Sequence, residues 1–274
     1  YENTPGAEAD IMQGDMLAEV NGEDVTAYDL STVVSMIKGE EGTPVTLRMY
    51  RPSIEDYITV DMVRRRVEVP SVSGKMLEDG IGYILIDSWD LQTCSQFMSS
   101  MEELTAQGMK GLIVDVRNNP GGVVKAACDV LDYFVEDGDR LVYTVDKNKQ
   151  ERDYVAQDGQ DSDIPLTVLI NSHSASSSEI FAGGIRDYKA GTLIGEKTYG
   201  KGIVQNVVNI GSDEAVKLTV AEYYLPSGVC IHGEGVKPDV DVTLEESLIG
   251  LSSIPEEEDT QLQKAVEILK EKMN

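Results

Sequence analysis

Hydrophobic and polar residues recur with two periods near the start of this chain, and together they predict a small α+β unit over residues 1–66. A helix is predicted from Asp29 to Ile37, where apolar side chains recur at helical spacing. Strand-like runs with alternating side chains lie on either side of it, at residues 16–20, 46–50 and 57–62.

From residue 67 to residue 247, apolar strands alternate with helices. The apolar run at 111–116 is typical of a strand buried on both faces of a sheet, and a second buried strand is predicted at 166–171. Further strands are predicted at 81–86 and 191–195, a hairpin at 203–210 and 215–225, and helices ending near residues 107, 135 and 188. Thr93 and Gln96 have the spacing of a capping box at the start of the first of these helices. This order predicts an α/β fold with a mostly parallel sheet.

The last segment, residues 248–274, is predicted to form a helix whose acidic start lies at 255–258. One face of this helix carries an apolar stripe of Leu262, Ala265, Val266, Leu269 and Met273. Packing of this stripe on the preceding unit is the favoured interpretation, and contact with another chain is the alternative.

Composition excludes some classes of partner. Asp and Glu number 49 against 23 Lys and Arg, which gives a formal net charge of −26. Such a surface would repel nucleic acid and anionic membrane surfaces. The three cysteines are far apart, and there are only two histidines, so neither a disulfide framework nor a His-rich metal site is predicted. We therefore predict no metal and no cofactor.

The segment Ser174-Ala175-Ser176-Ser177-Ser178-Glu179 lies between a buried strand and a helix. A serine at such a turn exposes its hydroxyl beside the free N–H groups of the first helical turn, which suits a nucleophile with its own oxyanion donor. The alternative is structural, because Ser176 and Glu179 also have the spacing of a capping box.

The loop Asn118-Asn119-Pro120-Gly121-Gly122 also joins a strand to a helix. Adjacent glycines can present free backbone N–H groups to an anion, although a tight turn uses the same residue types. A third loop, Gly195 to Gly202, nearly matches the phosphate-binding pattern. Gly202 replaces its hydroxyl residue, and the residues that follow read as a strand, so phosphate binding is not predicted.

Lys201, flanked by Gly200 and Gly202, can instead approach another backbone closely and serve as a neutral base when buried; the alternative is an exposed lysine on a flexible turn. A histidine base is the rival interpretation. His173 lies three residues before Ser176 on a turn, and His232 lies between strand signals. We therefore rank a Ser–Lys pair above a Ser–His pair.

These segments, in their order along the chain, resemble the C-terminal processing peptidases, also called tail-specific proteases. The resemblance rests on Asp115-Val-Arg-Asn-Asn-Pro-Gly-Gly122, Ser174-Ala-Ser176-x-Ser178-Glu, Gly195-Glu-Lys-Thr-x-Gly-Lys201-Gly-x-Val-Gln205 and Gly235-Val-Lys-Pro-Asp239. It implies a Clp/crotonase-like α/β core over 67–247 and a serine endopeptidase that cleaves polypeptides at or near their C-terminal tails.

The resemblance also implies roles for individual residues. Ser176 would be the nucleophile, Lys201 the general base, and Gln205 the residue that orients the lysine. The oxyanion hole would be formed by the N–H of Ser177 and one from Gly121 or Gly122.

The family carries a PDZ domain that captures C-termini, and residues 1–66 resemble its middle and later parts, so a truncated PDZ-like domain is expected. Its predicted helix would then form one wall of a peptide groove, lined by Leu30, Val33, Val34 and Ile37.

Two other functions are alternatives to the peptidase. One is a catalytically silent PDZ-type peptide-binding module on a degenerate peptidase body. The other keeps the crotonase-like core and assigns acyl-thioester chemistry, which does not call for both serine and lysine motifs. The expected partners are polypeptides with accessible C-termini, with membrane contact only through a segment that this sequence does not contain. The resemblance further implies an exported protein at the cell envelope, and a homo-oligomer is compatible with it.

Overall fold

The chain forms two compact units, one over Tyr1–Val69 and one over Pro70–Asn274. Its structure, a computed structural model, describes residues 4–67, 69–157, 159–211, 214–248 and 254–273. Within those residues, no helix has the length and apolar character needed to cross a membrane.

The first unit is a four-stranded antiparallel sheet with two helices. Its elements are α1 (Pro5–Glu8), β1 (Met16–Val20), β2 (Glu23–Asp24), α2 (Leu30–Ile37), β3 (Pro44–Arg51) and β4 (Asp56–Val63), with strand order β2-β1-β3-β4. Helix α2 begins where the sequence predicts, because the Asp29 carboxylate accepts the Thr32 amide at 3.1 Å. The unit is built around the buried side chains of Val20, Val45 and Leu47.

The second unit contains ten strands and four longer helices among its described residues. These are β5 (Val72–Met76), β6 (Ile81–Ile86), α3 (Thr93–Ala106), β7 (Gly111–Asp115), α4 (Val124–Asp132), β8 (Arg140–Asp146), β9 (Glu151–Val155), β10 (Leu166–Ile170), α5 (Ser177–Tyr188), β11 (Thr192–Gly195), β12 (Ile203–Asn209), β13 (Ala215–Tyr224), β14 (Val240–Asp241) and α6 (Thr260–Lys272).

The main sheet has the order β14-β11-β10-β7-β6-β5. Its strands from β14 to β6 run parallel, and β5 is an antiparallel edge strand. The α/β fold with a mostly parallel sheet is therefore confirmed. The carboxyl ends of β7 and β10 lie side by side, and each leads into one of the loops singled out in the sequence.

A second sheet, β12-β13-β8-β9, is antiparallel. The hairpin of β12 and β13 was predicted, whereas β8, β9 and β5 were not.

Helices cover both faces of the main sheet. The larger core includes Phe97 of α3, Leu131 of α4 and Phe181 of α5, all fully buried against the sheet. On the other face, the apolar stripe of α6 packs against β7 and β10, with Leu269 and Ala265 fully buried.

Helix α3 begins at Thr93, as predicted, but the predicted capping box is wrong. The Thr93 hydroxyl accepts the Asp90 amide at 2.8 Å, and the Gln96 side-chain oxygen accepts the Ser71 and Val72 amides at 2.9 and 3.1 Å. The chain at the start of β5 thus takes the acceptor that a capping box would use. The predicted start of the last helix is wrong. The last helix begins at Thr260 and not in the acidic segment 255–258, because the Asp259 side chain caps it.

Candidate active site

Ser176 lies at a sharp turn between β10 and α5, at the carboxyl edge of the main sheet. Its backbone has φ 56° and ψ −113°, a conformation that L-residues rarely adopt. Such strain persists only where the surroundings hold it, and the turn is tied down on both sides. The Ala175 amide donates to the Asn119 carbonyl at 3.0 Å, and the Ser174 hydroxyl donates to the Val116 carbonyl at 2.8 Å. Strand, strained serine and helix together are typical of a nucleophile elbow.

Lys201 lies in the loop from β11 to β12. The Gly233 amide donates to the Gly200 carbonyl at 3.0 Å, and a side chain at Gly202 would collide with the backbone of His232. The glycines beside Lys201 thus allow this loop to approach residues 231–235 closely. A strand follows the loop, as predicted, and not the helix that a phosphate-binding loop requires.

The carboxylate of Glu179 joins the serine turn to the lysine loop. Its Oε2 accepts the Ser176 amide and the Lys201 amide, both at 2.8 Å, so the two main-chain nitrogens lie no farther apart than twice that distance. Its Oε1 accepts the Gly200 amide at 2.7 Å and the Thr198 hydroxyl at 2.5 Å. Glu179 is fully buried. The sequence pattern suggested only a helix cap, and the link to the lysine loop was missed.

The side chains of Lys201 and Gln205 are less constrained than the backbone around them. In the described part of the chain, the half-buried Lys201 ammonium makes no hydrogen bond or ion pair. Gln205 is exposed in β12, beside an irregularity in its pairing with β13, and makes no hydrogen bond to Lys201 there. The orienting role of Gln205 therefore stays a prediction.

The glycine loop lies against the serine turn. A side-chain carbon at Gly121 would lie 2.7 Å from Ser176 Cβ, so only glycine fits there. The Gly121 amide donates to the Asn119 side chain at 2.9 Å and is therefore occupied. Among the described residues, the amides of Gly122 and Ser177 have no such acceptor, and the Ser177 hydroxyl donates to the Gly122 carbonyl at 3.0 Å. Of the three expected oxyanion donors, the geometry favours Gly122 and Ser177.

Trp89 lies in the chain that follows β6 and contacts the glycine loop. The sequence did not indicate this contact. Its carbonyl accepts the Val123 amide at 2.7 Å, and its indole N–H donates to the Ser178 hydroxyl at 2.9 Å. Gly122 must be glycine, because a side chain there would collide with the Trp89 carbonyl. Trp89 thus connects the glycine loop to the first turn of α5.

Neither histidine is placed as a base. His173 and His232 are both exposed, and no hydrogen bond reaches either imidazole from the residues that the structure describes. Over the same residues, no cluster of three or more His, Cys, Asp or Glu side chains is arranged for a metal ion.

The four residues expected in a peptide groove lie along one face of α2, because positions 30, 33, 34 and 37 recur at helical spacing. Val33 and Ile37 are half-buried and pack against the core of the first unit. Leu30 is 80% exposed and Val34 is half-buried. The role of these four residues in a peptide groove stays a prediction.

Similarity to known proteins agrees with this geometry. Residues 80–242, which include every catalytic and oxyanion candidate above, match the model of peptidase family S41. The chain belongs to peptidase family S41. Residues 1–51 match the model of a PDZ domain, which confirms the interpretation of the first unit.

Curated relatives carry names from the same family. A carboxy-terminal-processing protease of Bartonella bacilliformis is 33% identical over 88% of this chain and 56% of its own length. A carboxyl-terminal-processing protease of Synechocystis is 30% identical over 97% of this chain and 62% of its own length. A chloroplastic C-terminal processing peptidase of Tetradesmus obliquus is 34% identical over 87% of this chain and 54% of its own length. The chain thus spans between half and two thirds of the length of these relatives.

Solved structures share the fold. A photosystem II D1 C-terminal processing protease superposes with a TM-score of 0.59 at 31% identity, over 88% of this chain and 66% of that one. An S41 protease from Bacteroides fragilis superposes with a TM-score of 0.64 at 17% identity, over 100% of this chain and 77% of that one. The second likeness, at such low identity, supports the fold alone.

Proposed function

We propose that the second unit is a serine endopeptidase in which Ser176 is the nucleophile and Lys201 is the general base. The observation that carries this proposal is the pair of hydrogen bonds that brings the Ser176 and Lys201 amides onto one oxygen of Glu179. The strained turn at Ser176 and the free amides beside it supply the other two requirements, an accessible hydroxyl and an oxyanion site.

In the acylation step, the unprotonated Lys201 amine accepts the proton of the Ser176 hydroxyl as the Ser176 Oγ attacks the carbonyl carbon of the scissile peptide bond. The carbonyl oxygen becomes an oxyanion, which the amides of Gly122 and Ser177 stabilise. The C–N bond then breaks, and Lys201 returns the proton to the departing amine.

In the deacylation step, Lys201 accepts a proton from a water molecule that attacks the ester carbonyl of the acyl-enzyme. Collapse of the second oxyanion releases the new carboxyl terminus and returns the proton to Ser176 Oγ. Gln205 would orient the lysine through both steps, after a movement of β12 that brings its side chain to Lys201.

We further infer that the substrates are polypeptides cut at or near their C-terminal tails. The names of these relatives describe carboxyl-terminal processing, and a PDZ domain offers the partly exposed apolar face of α2, which includes Leu30 and Val34, to a peptide. The family resemblance further implies an exported protein at the cell envelope, which fractionation of the source cells would test.

The test is cleavage of an unfolded protein by the wild type and by four variants, with products identified by mass spectrometry. Ser176→Ala and Lys201→Ala should each lower turnover by about 10⁴-fold or more while the fold is kept. Ser172→Ala and Lys197→Ala are matched controls, because both side chains are exposed in the same two loops. These controls should retain wild-type turnover.

Each outcome of this experiment is informative. A folded Lys201→Ala variant with undiminished cleavage would exclude the proposed base. Equal cleavage by wild type and Ser176→Ala would exclude the nucleophile. Product masses that do not depend on distance from the C-terminus would contradict tail processing and leave a general endopeptidase.

A further inference from the structure

A buried charged cluster connects the start of α6 to the end of β7. The Arg117 guanidinium donates to Asp115 at 2.6 to 3.1 Å, to both carboxylate oxygens of Asp259 at 2.8 and 3.0 Å, and to the Gln261 side chain at 2.9 Å. Asp259 is the residue that caps α6, since its Oδ1 also accepts the Leu262 amide at 2.9 Å. One carboxylate therefore holds both a helix terminus and an arginine that lies 142 residues earlier in the chain.

The cluster is closed to solvent. The side chains of Arg117, Asp115 and Asp259 are 9%, 3% and 4% exposed. Burial opposes the charge on Arg117, but the two carboxylates outweigh it and raise the pKa of the guanidinium above its usual value. Tyr83 donates to Asp115 at 2.7 Å, and burial beside that carboxylate raises the pKa of Tyr83. Every member is thus hydrogen-bonded, and an amide in place of the Asp259 carboxylate would set an NH₂ donor against the guanidinium.

Arg117 also directly precedes the 118–122 loop, which ends in the proposed oxyanion glycines. The next residue, Asn118, has φ 60°, and its amide donates to the Asn171 side chain at 2.9 Å. Asn119 is fully buried; its carbonyl accepts the Ala175 amide at 3.0 Å, and its side chain accepts the Gly121 amide. The side-chain contacts of Asp259 thus reach Arg117, and from there the main chain continues through Asn118 and Asn119, which bond residues 171 and 175 just before the serine turn.

We propose that Asp259 is a positioning residue of the peptidase site. Its carboxylate fixes the Arg117 guanidinium, and Arg117 in turn fixes the 118–122 loop, so that the Gly122 amide faces the Ser176 turn. The C-terminal helix α6 is then a component of the active site, although none of its side chains touches the reacting atoms. The catalytic part of this inference rests on the proposed peptidase function, and the effect on the loop does not.

Two substitutions separate the capping role of Asp259 from its pairing role. Asn is as good a helix cap as Asp, so Asp259→Asn keeps the cap and removes the charge that pairs with Arg117. Glu is not among the preferred capping residues, so Asp259→Glu keeps the charge and weakens the cap. A role limited to capping α6 predicts that Glu is the more harmful variant, whereas the positioning role predicts that Asn is.

Two readouts are measured on the intact chain. The first is hydrogen exchange of the amides in residues 117–123, which does not require activity. The second is peptidase kinetics, in which a displaced oxyanion donor lowers kcat and leaves KM nearly unchanged. Leu269→Ala is the matched control, because it loosens the packing of α6 without touching the cluster.

We expect Asp259→Asn to speed exchange in residues 117–123 and to lower kcat by about tenfold to a hundredfold, the range that small displacements of catalytic groups produce. Asp259→Glu should retain more of the protection from exchange in residues 117–123 and more of kcat than Asp259→Asn does. Leu269→Ala should affect exchange in α6 alone. The proposal is overturned if Asn preserves loop exchange and kcat better than Glu does. If the wild type proves inactive, the proposed function fails, and the exchange order of the two variants still decides the role of Asp259.

Discussion

Replacement of Glu179 by glutamine tests whether one carboxylate holds the nucleophile and the base together. Glutamine has the same shape but offers one acceptor oxygen and one donor NH₂ in place of two acceptor oxygens. Four donors reach Glu179 in the native chain, two on each oxygen. The amide must therefore face at least one backbone N–H with another donor.

The magnitude follows from the less costly of the two amide orientations. If the NH₂ faces Thr198 and Gly200, the Thr198 hydroxyl can turn to accept it and must donate its own proton elsewhere, and of the three backbone amides only that of Gly200 loses its acceptor. One buried unsatisfied donor costs about 1–3 kcal/mol, and the Ser176 and Lys201 amides each lose the charge assistance of a carboxylate, about 1 kcal/mol apiece. We expect the free energy of unfolding to fall by about 3–5 kcal/mol. The opposite orientation leaves both the Ser176 and the Lys201 amides without an acceptor.

The assay combines urea unfolding with steady-state cleavage of the same unfolded protein substrate. Glu102→Gln is the matched control, because it removes one carboxylate charge from the exposed face of α3. The Glu179→Gln variant should remain folded at low urea. Its kcat should fall by about a hundredfold, because weaker bonds let the two loops separate on a scale that catalysis does not tolerate.

One result would refute this reasoning. The free energy of unfolding of Glu179→Gln could lie within about 0.5 kcal/mol of the wild-type value, and its kcat within twofold of the wild-type kcat. In that case the four hydrogen bonds do not hold the site together. A large stability loss with unchanged kcat would show that Glu179 supports the fold but does not position Ser176 and Lys201.

Two further predictions concern the glycine loop and the first unit. Gly121→Ala should lower kcat by about a hundredfold, since its φ of 102° and the close Ser176 Cβ both exclude a side chain; a folded variant with wild-type kcat would contradict this. Hydrogen bonds from Arg51 lower the pKa of Asp15 from 3.8 to about 2, so the pair stabilises the unit above pH 3.8 and loses this effect as the pH falls towards 2. Asp15→Asn should therefore speed hydrogen exchange in β3 at about pH 6 but not at about pH 2, and equal effects at both values would exclude the ion pair as the cause.

The parallel sheet could be predicted because a strand that is buried on both faces has apolar residues at nearly every position. The strands β7 and β10 are continuous apolar runs, and each ends in a loop of glycine, asparagine or serine. Strands β8 and β9 do not show the apolar run that is typical of such a strand. Residues 151–155 read Glu-Arg-Asp-Tyr-Val and are mostly exposed, so pairing with β8 stabilises them and an apolar pattern does not.

The oxyanion donors show how far local sequence can resolve a site. Gly121 and Gly122 are equivalent as a pair of adjacent glycines, and the sequence placed both in the loop. The difference between them comes from the side chain of Asn119, which takes the Gly121 amide. That contact depends on the turn geometry of the loop, which the positive φ values of Asn118, Gly121 and Gly122 create.

The capping box predicted at Ser176 and Glu179 is present, but it is only part of what Glu179 holds. In a capping box, a glutamate in the first helical turn accepts the amide of the residue before the helix, and Glu179 does accept the Ser176 amide. Its other three donors belong to residues 198–201, which reach it only after β11 pairs with β10. A short-range pattern cannot contain such partners.

The chemistry of Glu179 explains why a carboxylate suits this position. A fully buried charge is costly unless hydrogen bonds satisfy it, and a carboxylate accepts at four lone-pair sites without offering a donor. Four donors from two loops satisfy it completely. Each loop therefore depends on the other to offset the burial of the charge, and the strained backbone of Ser176 is held by the same bonds. A serine turn folded without the lysine loop would leave three of the four sites empty or open to water, so we infer that the proposed nucleophile and base assemble together.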